Sequence, residues 1–180
     1  MSHARLTVVF AMLAACRGRA DLKPLVGPFS DEAAYLRDCE DWPNPRLELS
    51  EVVAKRGPSR AVVSLVEVRE SQAAASCRAM VKTKAGLFVG PSFLCAADRS
   101  DELVETDEAR IDFDENGAEL RFRVGYLLVS YFRGPEHRDP PPHHQDYAIR
   151  CALDGKRPAC TDPPAIGGYG GAPCRRPSAP

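Results

Sequence analysis

A chain of 180 residues with 24 basic and 25 acidic side chains is long enough for one ordinary domain plus tails, and its near-neutral balance excludes the basic footprint of a nucleic-acid-binding protein. The mean hydropathy of -0.30 and the lack of any apolar run of about 20 residues exclude a transmembrane helix.

In chain order, the first element is LTVVFAMLAAC, residues 6–16, which follows a start that carries Arg5 and no acidic residue and gives way to charge at Arg17. Positive charge, then a short apolar run, then small residues is the order of an export signal. The end of the run, Leu13-Ala14-Ala15-Cys16, resembles the lipobox of bacterial lipoprotein signal peptides, a resemblance confined to residues 1–16. It implies cleavage between Ala15 and Cys16, a diacylglyceryl group on the Cys16 sulfur, and acylation of the new amine. Two or three acyl chains anchor stably where one is marginal, since each buried methylene contributes about 0.8 kcal/mol. Arg17 rather than Asp after the cysteine implies, in that family, sorting to the outer membrane. The expected location is therefore the bacterial cell envelope, facing periplasm or exterior, with the membrane as partner through Cys16. Residues 1–15 are read as signal peptide and 16–29 as a flexible tether.

Export also decides what the other cysteines mean. Cys39, Cys77, Cys95, Cys151, Cys160 and Cys174 include no C-x-x-C pair, so in an oxidising compartment they read as disulfides rather than metal ligands or catalytic thiols. Turn signals lie between Cys77 and Cys95 and between Cys151 and Cys160, which predicts those two local pairs. Cys39 with Cys174 is the remainder.

Ser30 is an N-cap candidate, with Asp31 and Glu32 in the first turn where the helix dipole favours negative charge. A short helix to about Cys39 is expected, closed by Pro43 and Pro45. From Arg60 the period changes to two. AVVSLVEVRE, CRAMVKT and LFVGPSFL read as strands, and the acidic interval 96–107 reads as an exposed loop. ARIDFDENGAELRFRV is the best local signal: Asn116-Gly117 predicts a two-residue hairpin turn that sets Phe113 opposite Leu120 and Ile111 opposite Phe122. DYAIRCAL alternates Tyr147, Ile149, Cys151 and Leu153 against Ala148 and Arg150. The expected fold is mainly β (α+β): an antiparallel sheet of about five or six strands preceded by one short N-terminal helix, disulfide-bonded. The globular domain is placed at 30–162 and a Pro/Gly-rich tail at 163–180.

Three constellations bear on chemistry. His137, His143 and His144 lie in PEHRDPPPHHQDY with carboxylates nearby, a donor set that suits zinc, copper or nickel. The proline triplet spreads them along an extended backbone of about 3.1 Å per residue, which favours a plain surface loop. DFDENG resembles the front half of an EF-hand loop, but the twelfth position is Arg123 where that family has Glu, and the flanks read as strands. A hairpin turn with at most a weak cation contact from Asp112, Asp114 and Glu119 is the better explanation. No nucleophile elbow or metalloprotease motif is present, so no catalytic residue and no cofactor is assigned. The leading expectation is a lipid-anchored, non-catalytic binding or structural module with an envelope protein as partner. The alternatives are a periplasmic metal-binding protein using the histidine loop and a small hydrolase with an unrecognised site.

Overall fold

The computed structural model describes residues 21–39, 48–69, 74–99, 102–115, 117–128, 143–153 and 156–163. Their elements are β1 (Lys23–Pro24), β2 (Val26–Phe29), α1 (Glu32–Cys39), β3 (Glu48–Arg56), β4 (Val62–Arg69), β5 (Ala74–Thr83), β6 (Gly86–Arg99), β7 (Glu102–Asp114), β8 (Gly117–Leu128), β9 (His143–Ala152) and β10 (Ala159–Cys160). The strands form one antiparallel path, β1-β10-β9-β8-β7-β6-β5-β4-β3, with β2 added on β6. Among the described residues the fold is therefore mainly β with one short helix, but the sheet has ten strands rather than five or six.

The undercount has local causes. Residues 23–29, expected as tether, form β1 and β2 in spite of Pro24 and Pro28, because proline is tolerated where the ladder does not need its missing N–H. The interval 96–107, expected as a loop, is strand at 96–99 and again at 102–107, with Ala97 opposite Val104 and Arg99 opposite Glu102. Glu105 and Asp107 are exposed while Val104 is buried, so dense charge hid the period of two. In β3 the alternation is broken by a register shift between Glu51 and Val53.

The sheet closes on itself. β1 pairs with β10 and β2 with β6, and only Leu25 separates them, so residues 23–29 tie the β10 edge back to the middle of the sheet. At the other end β3 comes against β7, where the Lys55 Nζ donates to the Ile111 carbonyl at 2.9 Å and lies over the Phe113 ring. Within the fold, Phe93 of β6 stacks on Phe122 of β8 at 5.1 Å, and Phe122 on Tyr147 of β9 at 5.9 Å. Burying a side chain of this size contributes roughly 1.5–3 kcal/mol.

The strands β4 to β6 are buried on both sides. Val63, Leu65, Cys77, Ala79, Val81 and Phe88 face the inner core, while Val66, Met80, Leu87 and Val89 pack under α1 with Phe29 and Tyr35. The cap of α1 is Asp31 rather than Ser30: its Oδ1 accepts from the Ala34 N–H at 2.8 Å, one residue later than the sequence implied. Arg78 is buried beneath the helix, its guanidinium 5.6 Å from the Tyr35 ring centroid.

Both local disulfides are present in the core: Cys77–Cys95 joins β5 to β6, and Cys151–Cys160 joins β9 to β10. Their sequence separations of 18 and 9 correspond to about 3 and 2.5 kcal/mol of unfolded-chain restriction. Cys39 is disulfide-bonded as well, and its expected partner Cys174 lies outside the described residues. Among the described residues no helix is long and apolar enough to cross a membrane.

The β7–β8 hairpin departs from the expected register by two residues. Ile111 pairs with Leu120, Phe113 with Ala118 and Asp114 with Gly117. A shift of two keeps every side chain on its face, so the apolar face survives the change. Gly117 has φ 150°, and a Cβ there would come within 2.0 Å of the Cys151 carbonyl oxygen. The glycine is thus required by the approach of β9.

Candidate functional site: a charged cleft over the β7 bulge

The outer face of β7, β8 and β9 is built from charged residues at alternate positions, the counterpart of the apolar residues that fill the core. On β8 these are Glu119, Arg121 and Arg123; Asp146, Ala148 and Arg150 stand opposite them on β9. On β7, Asp112 stands opposite Glu119 and Arg110 opposite Arg121. The pairing then breaks: Asp107 is opposite Arg123, so Glu108 and Ala109 together face Phe122 alone. Two residues against one is a β-bulge, a feature that re-aims side chains and clusters beside functional sites.

Glu108 has φ 51°, a left-handed conformation that is uncommon outside glycine and asparagine. Two contacts hold it there. The Asp107 Oδ1 accepts from the Glu108 N–H at 2.7 Å, and the Glu108 Oε1 accepts from Arg123 Nη1 at 2.7 Å. Arg123 also donates through Nε to Asp146 Oδ1 at 2.9 Å, so one guanidinium ties β7 and β9 across β8. The Asp146 carboxylate, and behind it Glu108, hold the Arg123 guanidinium above its ordinary range.

A second cluster is centred on Glu119, four residues from Arg123 along β8. The half-buried Glu119 carboxylate accepts from Arg121 on Oε2 and from Arg150 Nε on Oε1 at 3.0 Å. Arg121 first, and Arg150 second, hold the Glu119 carboxyl below the usual range, and Glu119 raises Arg121 in turn. Between the clusters is a row made of Arg110, Arg121 and the exposed Ala148. The short alanine side chain leaves a cleft of about 680 Å³, lined by Glu108, Ala109, Arg110, Arg121, Phe122, Arg123, Asp146, Tyr147 and Ala148. That volume is within the range of small-molecule sites.

The residues singled out from sequence are placed as follows. Cys16, Cys174 and His137 lie outside the described residues. His143 and His144 open β9 opposite Tyr126 and Gly125, both exposed, and as consecutive strand residues they point to opposite faces. Asp112 and Glu119 are cross-strand neighbours, but both Glu119 oxygens are taken by arginines, which makes it an ion-pair partner rather than a cation ligand. Among the described residues no group of three or more histidine, cysteine, aspartate or glutamate side chains is arranged to hold a metal ion.

Sequence reasoning did not find the cleft. The period-two charge in ARID and ELRFRV places the arginines on one face, but the bulge at Glu108 and Ala109 and the arrival of β9 depend on pairing. No protein-family model, no curated protein and no solved structure matches this chain.

Proposed function

We propose that this chain is a lipid-anchored protein of the bacterial cell envelope, held at the outer membrane through Cys16, whose disulfide-bonded β domain is a non-catalytic binding module. The observation that carries the reading is the combination of a Leu-Ala-Ala-Cys leader with a domain in which Cys77, Cys95, Cys151 and Cys160 are buried in disulfides. Disulfides persist in oxidising compartments and are rare where glutathione keeps thiols reduced. Cys16 precedes β1 by seven residues, which span at most about 25 Å, so the anchor holds the domain near the bilayer. The binding surface is the cleft over the β7 bulge, where a left-handed Glu108 and a gap above Ala148 interrupt an otherwise regular charged face.

The anchoring half is tested by growing cells with a radiolabelled fatty acid. The wild-type chain should carry label and sediment with membranes, and Cys16→Ala should lose both properties. Label retained on the substituted chain, or a full-length chain found in the cytosol with reduced cysteines, overturns the reading.

A further inference from the structure

The cleft separates its charge along β8. In the row through Arg121, the cross-strand neighbours are Arg110 and Ala148, so two guanidiniums stand side by side, and the carboxylate that Arg121 engages, Glu119, lies in the next row of its own strand. The Arg110 contact to Asp112 is long, 3.9 Å, and the Arg110 and Arg121 side chains are 65% and 48% exposed. Like charges directly opposite across a strand pair are destabilising, and an anion placed between them removes that repulsion. In the row through Arg123 the balance is reversed. One guanidinium is flanked by two carboxylates and engages one oxygen of each, Glu108 Oε1 and Asp146 Oδ1. That end carries excess negative charge.

The two rows are two residues apart on β8, about 7 Å. We infer that the cleft binds a small dipolar molecule bearing a carboxylate and a protonated amine, of the class of a short peptide. Its carboxylate lies against Arg110 and Arg121, and its amine against Glu108 and Asp146. This rests on the cleft being the binding surface proposed above, and it names the ligand class. A doubly charged anion such as phosphate meets Glu108, Asp146 and, one row beyond, Asp112 and Glu119. A metal cation meets three arginines. A molecule neutral overall but charged at both ends satisfies each row, and the exposed methyl of Ala148 leaves room for its backbone.

The test uses the full chain, solubilised in detergent and labelled for amide spectra, titrated to about 20 mM with alanyl-alanine, its N-acetyl form, its C-terminal amide and inorganic phosphate. Alanyl-alanine should move the amide signals of Arg121, Arg123 and Ala148. Blocking either end should weaken binding by about tenfold or more, the effect of losing one charge-assisted contact. Arg121→Gln should erase the penalty for amidation, and Glu108→Gln the penalty for acetylation. The inference is overturned if alanyl-alanine moves none of these signals, if the blocked forms bind as well as the free dipeptide, or if phosphate binds as tightly. Phosphate binding as tightly at the same signals keeps the cleft as a binding surface while removing the dipolar class. Fatty-acid labelling of Cys16 is unaffected by any of these results.

Discussion

Gly117 separates two physical accounts of the β7–β8 hairpin. If the residue served only a tight turn of positive φ, asparagine would replace it at little cost, because Asn is the non-glycine residue that best tolerates left-handed backbone. The structure gives a different reason. At φ 150° a side chain is strained by about 1–3 kcal/mol, and any Cβ would sit 2.0 Å from the Cys151 carbonyl oxygen, a contact only displacement of β9 relieves. Displacing β9 there also weakens β8–β9 ladder bonds, each contributing about 0.5–1.5 kcal/mol. Gly117→Ala and Gly117→Asn should both lose about 3–5 kcal/mol, a large share of the roughly 5–15 kcal/mol that holds a domain of this size together. Thermal unfolding followed by circular dichroism should show a fall in Tm of about 10 °C or more for each. An asparagine variant within 1 kcal/mol of wild type, with the alanine variant clearly destabilised, would refute the close-approach argument and restore the turn explanation.

Two further perturbations probe the cleft. Glu108→Gly removes the left-handed penalty along with an exposed ion pair that contributes about 0–1 kcal/mol, so its stability should stay within about 0.5 kcal/mol of wild type. Glu108→Val keeps the strain, worsens it by branching at Cβ and should lose about 1–2 kcal/mol; equal urea midpoints for the two variants would argue against strain at the bulge. Arg121 and Arg150 depress the Glu119 carboxyl, so its contribution is fully present above the unfolded value of about 4.3 and is lost as pH falls through the lower folded value. Tm measured against pH should therefore fall for the wild type below about pH 4 more steeply than for Glu119→Gln. A constant gap between the two curves down to about pH 2.5 would exclude the ion pair as the source.

The amino-acid sequence alone determined those features that depend on neighbours in the chain. The apolar run ending at Cys16 and the alternation Tyr147, Ile149, Cys151 are legible because period and charge order are local. The two short-range disulfides are legible too, because a turn between the cysteines brings them together. The inner faces of β7 and β8 were also correct despite a register error, since a slip of two leaves each side chain where it was. Tertiary structure decided everything set by strands distant in sequence: the recruitment of proline-containing residues 23–29 to close the sheet, the burial of Arg78 beneath α1, and the need for glycine at 117. The cleft belongs with these. A bulge is one extra residue measured against a partner strand, and the excess negative charge around Arg123 arises only because Glu108 and Asp146, far apart in the chain, converge on one guanidinium. Local patterning carries which face a residue occupies, whereas pairing between distant strands determines what that face meets.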